Sequence, residues 1–148
     1  MYYRLIFCWA FLLPLCLPVL GHSSSHDVLG INEHFAKYSD YNASIDEVIA
    51  SGTKWVRIGL HWGRIETAKG VYDQSELNVL DAIITRLHDE DVNVLFILGY
   101  TAQWASSQPS APWSTATRVR PASWSDWEDF VTFITARYQG KVTHWEVW

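Results

Sequence analysis

Arg57 and His61 stand two residues either side of Gly59 in the run Trp55-Val56-Arg57-Ile58-Gly59-Leu60-His61-Trp62, alternating with Val56, Ile58 and Leu60. A period of two puts the polar set on one face of a strand and the aliphatic set on the other. An inward arginine needs an anion, and Glu146 in His144-Trp145-Glu146-Val147-Trp148 has the parity to be that partner. Two roles stay open for Arg57: an interior ion pair, or the orientation of a catalytic carboxylate. Glu146 is expected to be structural, because it lies one layer below the strand end on which Trp148 stands. His34 and His61 fall on separate strands without a third ligand, so hydrogen bonding to substrate is expected of them and no metal site. Glu66, in Trp62-Gly63-Arg64-Ile65-Glu66, reads as a surface acid beside Arg64 or Lys69.

Nine tryptophans, seven tyrosines and six phenylalanines make 15% of the chain aromatic. A flat aromatic face fits the apolar C–H face of a sugar ring, so carbohydrate is the expected partner. Periodicity assigns Trp127 and Trp145 to the core. Trp104 and Trp113 escape that assignment, since they fall in the irregular stretch from Ala102 to Ala122, rich in Ser and Pro, which is expected to wall a cleft. No G-x-S-x-G elbow, Walker A loop or H-E-x-x-H helix occurs, and a net charge of -5 gives no basic surface for nucleic acid. No cofactor and no protein partner are implied.

Three βα units would position these groups. The first has a strand near Leu29 to Phe35 and a helix opened by the capping box Ser44-Ile45-Asp46-Glu47, closing at Gly52. The second has the strand Trp55 to Trp62 and a helix after Asp73-Gln74-Ser75-Glu76, with Leu77, Leu80, Ile83, Ile84 and Leu87 along one face. The third has the strand Asn93 to Thr101 and a helix after Ser125-Asp126-Trp127-Glu128 that ends at Gly140. A fourth strand runs from Thr143 to Trp148 with no turn or cap beyond it. Such alternation means a parallel sheet, and the missing glycine-rich phosphate loop, with Arg57 facing inward, favours a closed barrel over an open sheet. The fold class expected is α/β, the N-terminal half of a (β/α)8 barrel with strands one to four and helices one to three. In that fold chemistry sits at the C-terminal strand ends. The candidates there are Asn32, His34, Arg57, His61, Trp62, Tyr100, Trp104 and Trp148.

Before the first unit, Met1-Tyr2-Tyr3-Arg4 leads into an apolar run from Leu5 to Leu20 and then Gly21, the layout of a signal peptide spanning residues 1–21. A secreted product, extracellular or periplasmic, is the expectation, with residues 22–148 as the mature part and no membrane attachment after cleavage. Both cysteines, Cys8 and Cys16, lie in this segment, so the mature part offers no cysteine chemistry.

Trp55-Val56-Arg57-Ile58, Leu60-His61-Trp62, Arg64-Ile65-Glu66 and Gly70-Val71-Tyr72-Asp73 together resemble the second βα unit of the large retaining glycosidase clan. Family 39 and its bacterial exopolysaccharide-cleaving relatives are the most similar. Val94-Leu95-Phe96-Ile97-Leu98-Gly99-Tyr100 with Trp104-Ala105 resembles the third unit, and Trp145-Glu146-Val147-Trp148 resembles the run that in such enzymes continues Asn-Glu-Pro. The resemblance implies double displacement by two carboxylates about 5 Å apart. It places the acid/base glutamate just after Trp148 and the nucleophile on strand seven, so this chain would hold neither and would not turn over by itself. Arg57 would keep the nucleophile ionised and oriented, and His61, Tyr100 and Trp104 would line the cleft. A non-catalytic carbohydrate-binding or scaffold barrel is the alternative.

Overall fold

The computed structural model describes residues 29–35 and 40–148. Residues 1–21, expected to direct export, lie outside them. In chain order the elements are β1 (Gly30–Glu33), α1 (Tyr41–Ala50), β2 (Trp55–His61), α2 (Trp62–Ile65), β3 (Glu66–Ala68), β4 (Val71–Tyr72), α3 (Gln74–Asp89), β5 (Asn93–Gly99), a 3-10 turn (Gln103–Ala105), α4 (Trp113–Ala116), α5 (Trp124–Arg137) and β6 (His144–Val147). The main sheet runs β1-β2-β5-β6 with every neighbouring pair parallel. Strand and helix alternating in this way form the N-terminal half of a (β/α)8 barrel.

The outward faces of the strands make the core. Val56, Ile58, Leu60, Val94, Phe96 and Leu98 are buried there against the helices. Helix α3 follows its sequence pattern closely: Asp73 caps it by accepting from the backbone N–H groups of Ser75 (2.8 Å) and Glu76 (3.2 Å), and all five apolar positions are buried. Helix α1 starts earlier than the Ser44 box suggests. Asp40 is its cap, accepting from the Ala43 N–H at 3.2 Å, and Ser44 lies inside the helix. Helix α5 likewise begins at Trp124, two residues ahead of Asp126.

Helices α3 and α5 are clamped by Asp81, which accepts from Arg137 Nε (2.9 Å), Arg137 Nη2 (2.5 Å) and the buried Tyr138 hydroxyl (3.1 Å). The Arg137 hydrogen bonds hold the Asp81 carboxyl below its usual value of 3.8, and burial opposes them only in part. Its contribution is therefore complete above pH 3.8 and fades as pH falls through the depressed folded value. Asp81→Asn should lower stability at pH 7 by about 1 kcal/mol, the partly exposed pair being screened. In urea melts repeated at falling pH, the gap between variant and parent should close in that acid range.

Trp62 departs from the site role expected of it. One residue beyond His61, its parity turns it to the outer side of the sheet, where α2 begins. Its side chain is fully buried, with ring centroids 5.4 Å from Trp127 and Phe130 and 5.5 Å from Trp104. Glu66 departs too, being 3% exposed rather than a surface acid. Its carboxylate accepts from Trp62 Nε1 (2.5 Å) and the Gly70 N–H (2.7 Å), while Trp104 Nε1 donates to its backbone carbonyl at 2.8 Å. The cations expected beside Glu66 pair elsewhere, Arg64 with Glu76 and Lys69 with Asp126. The β3–β4 hairpin, turned by Gly70 at φ +71°, folds the chain over this carboxylate.

Candidate functional site

The inward faces of the four strands form a graded surface. At its N-terminal end Trp55 meets His144 edge to face, with centroids 4.6 Å apart. Above them Arg57 reaches across β5 to Glu146 as a two-pronged pair, Nε to Oε2 at 2.9 Å and Nη2 to Oε1 at 2.7 Å, while Nη1 donates to Asn32 Oδ1 at 3.2 Å. The Arg57 hydrogen bonds hold Glu146 below the usual carboxylate range, and Glu146 in turn raises the Arg57 value. The pair is thus a fixed dipole beneath the strand ends. Its side chains remain 39% and 34% exposed, because the described inner face is open on one side.

The strand ends carry an aromatic row. His61, last in β2, stacks on Tyr100 with centroids 4.3 Å apart and planes 8° from parallel. Tyr100 packs against Trp148 at 4.8 Å, and Trp113 faces His61 at 6.3 Å. Tyr100 holds the left-handed conformation at φ 58°, a strain of the kind that collects at functional sites and is sustained by packing on both sides. Trp148 continues the ladder by donating its N–H to the Leu98 carbonyl at 3.0 Å, and its ring lies on Gly99. A Cβ on Gly99 would come within 3.3 Å of the Trp148 ring. Gly99→Ala should therefore displace Trp148 and alter the near-ultraviolet circular dichroism of the Tyr100–Trp148 pair while leaving the far-ultraviolet signal in place.

Beside this row opens a cleft of about 470 Å3 whose lining includes His61, Arg64, Tyr100, Gln103, Trp104 and Trp113. Its wall is the stretch from Ala102 to Ala122, ordered by the Ser106–Pro121 bridge and by Thr101 Oγ1 donating to the Val119 carbonyl at 2.6 Å. Trp104 lines the cleft, and its indole nitrogen is tied to Glu66. His34 lies exposed beyond β1 and shares a smaller hollow, about 260 Å3, with His61 and Trp113. The structure so gathers His34, His61, Tyr100, Trp104 and Trp148 at one end of the sheet, sets Arg57 below them and leaves Trp62 out. On the inner faces of the described strands Glu146 is the one carboxylate, and among the described residues no three His, Cys, Asp or Glu side chains converge as metal ligands.

Solved structures share the fold of these strands and helices. A family 39 glycoside hydrolase from the gut symbiont Bacteroides cellulosilyticus WH2 superposes with a TM-score of 0.62 at 22% identity, covering 83% of this chain and 24% of that one. The fold shared is that of the N-terminal half of a (β/α)8 barrel. A beta-glucosidase from Exiguobacterium marinum agrees at TM-score 0.62 and 19% identity over 76% of this chain, and the GH1 beta-glucosidase from Exiguobacterium antarcticum B7 at 0.60 and 20% over 75%. The chain spans about a quarter of the length of each of these structures, 24% in every case. No family model and no curated protein matches it. In barrels of this kind the strand ends that carry His61, Tyr100 and Trp148 form the face where active sites sit.

Sequence reasoning missed part of the wall. Arg118, Arg120 and Trp124 border a second hollow, about 370 Å3, on the far side of Tyr100. Their signal was faint, two arginines spaced by one residue in a loop without periodicity.

Proposed function

We propose that the barrel to which these strands belong hydrolyses O-glycosidic bonds of an extracellular or cell-wall saccharide with retention of configuration, the chain being exported by residues 1–21. The observation that carries this reading is the aromatic row His61–Tyr100–Trp148 standing at the C-terminal strand ends over the Arg57–Glu146 pair. Stacked rings offer apolar faces to a sugar, and the cleft beside them has the size of a small-ligand site. Arg57 is the cation available to keep a neighbouring carboxylate ionised, and Glu146 with Asn32 fixes its plane. The family resemblance puts the protonating carboxylate just after Trp148, at the end of the fourth of these strands, and the attacking one on strand seven. Glu146 does neither, being engaged by two Arg57 donors.

A gene product containing all eight strands should release nitrophenol from aryl glycosides, with the product anomer matching the substrate by proton NMR. The 148-residue chain should quench its tryptophan fluorescence on adding oligosaccharide without releasing product. The second reading is a barrel that binds saccharide without cleaving it. Saccharide binding by the complete barrel with no turnover of any glycoside would decide for that reading.

A further inference from the structure

Asn42 opens the run Asn42-Ala43-Ser44, an asparagine followed two residues on by a hydroxyl with no proline between them. That spacing is the acceptor signal for an N-linked glycan in an exported chain. The other asparagines, Asn32, Asn78 and Asn93, have His34, Leu80 and Leu95 at the corresponding position. The structure sets Asn42 apart a second time. Asn32 Oδ1 accepts from Arg57 at 3.2 Å, Asn78 Oδ1 accepts from Gln74 Nε2 at 2.8 Å, and Asn93 Nδ2 donates to the Lys54 carbonyl at 3.2 Å. Asn42 is exposed, and its side-chain amide makes no hydrogen bond with any described residue. Arg86 of α3 reaches only its backbone carbonyl, at 3.4 Å. The Ser44 hydroxyl is likewise unengaged by described residues.

Asn42 is the second residue of α1, and the buried positions of that helix begin at Ile45. A bulky group on the exposed amide therefore stands clear of the core. Helix α1 has ten residues, too few to hold a helix in isolation, so the acceptor triplet is open chain until α3 packs beside it. Access by a transferase precedes folding.

We propose that Asn42 is an N-glycosylation site, modified as the chain is exported. This rests on residues 1–21 acting as an export signal. The Asn42 amide nitrogen attacks the anomeric carbon of an oligosaccharide carried on a lipid diphosphate. The C–N bond forms as the C–O bond to the diphosphate breaks, the lipid diphosphate leaves with the electron pair, and the nitrogen gives up one proton.

The experiment expresses the 148-residue chain in a eukaryotic secretory host, once with residues 1–21 and once with a leader of the host in their place. Intact mass is read on both secreted and cell-retained chains, so a poorly folding chain still answers. Both should carry an added mass that peptide N-glycosidase removes, converting Asn42 to aspartate in the peptide map. N42Q and S44A should each lose the added mass completely, and S44T should keep it. An unmodified chain behind the host leader, or a glycan that survives N42Q, would overturn the site. Modification behind the host leader alone, with residues 1–21 still attached to an unmodified native chain, would uphold the acceptor and overturn the export reading.

Discussion

Replacing Trp62 by alanine is expected to lower the free energy of unfolding by about 3–5 kcal/mol in urea melts. Trp62 is the largest of the fully buried side chains, so its removal opens a cavity among Trp104, Trp127 and Phe130 that those rings can close only in part. It also removes the indole donor to the buried Glu66 carboxylate, leaving the Gly70 N–H. Trp62→Phe separates the two effects. The smaller ring keeps much of the packing and loses the N–H, so about 1–3 kcal/mol should go with the unpaired carboxylate. Adding Glu66→Leu to Trp62→Phe should recover part of that loss, since an acid without a donor is worse than an apolar side chain. A Trp62→Ala protein as stable as its parent, with weakened saccharide affinity, would return Trp62 to the cleft.

The reasons Trp62 and Glu66 were misplaced in the sequence reading are local. The elements α2, β3 and β4 are two to four residues long, too short for either period to show. One helical turn decides the matter, placing the Glu66 carboxylate under the Trp62 indole four residues back. Beside Arg64 and Lys69 the same acid looks solvated, until Glu76 and Asp126 take those cations. The start of α1 misled differently. Ser44-Ile45-Asp46-Glu47 has the residue types of a capping box but stands inside a helix that Asp40 has already opened. Where a pattern runs long, it is legible. The sixteen residues of α3 show their buried face through five apolar positions, and the alternation in β2 orients Arg57 and His61 correctly. Two such strands suffice to pair Arg57 with Glu146 across 89 residues of sequence. The aromatic row was legible as a set of residue types at strand ends; the stacking of His61 on Tyr100 was not, since it depends on a left-handed tyrosine that no side-chain pattern announces.

On the proposed glycosidase function, Arg57→Gln is expected to reduce glycoside turnover by the complete barrel about 100-fold, the scale of a reacting group displaced by an ångström, with a smaller change in KM. In the proposed mechanism Arg57 is a positioning residue. Three of its donors are spent on Glu146 and Asn32, which lock the guanidinium plane. Glutamine keeps a hydrogen bond but not the charge or the fork, so a carboxylate beside it loses the influence that keeps it ionised. Glu146 reports the same loss from within this chain. Its folded value is depressed by Arg57, so it stays ionised as pH falls below the ordinary carboxylate value of 4.5; without Arg57 its titration should move up toward that value, seen by carbon-13 NMR of the side-chain carboxyl. The two readouts divide the roles. If the Glu146 titration moves and turnover does not, the pair only braces β2 against β6. If both move, and Arg57→Lys restores the Glu146 titration without restoring turnover, the planar fork itself is what the chemistry needs, because a lysine supplies the charge and not the geometry.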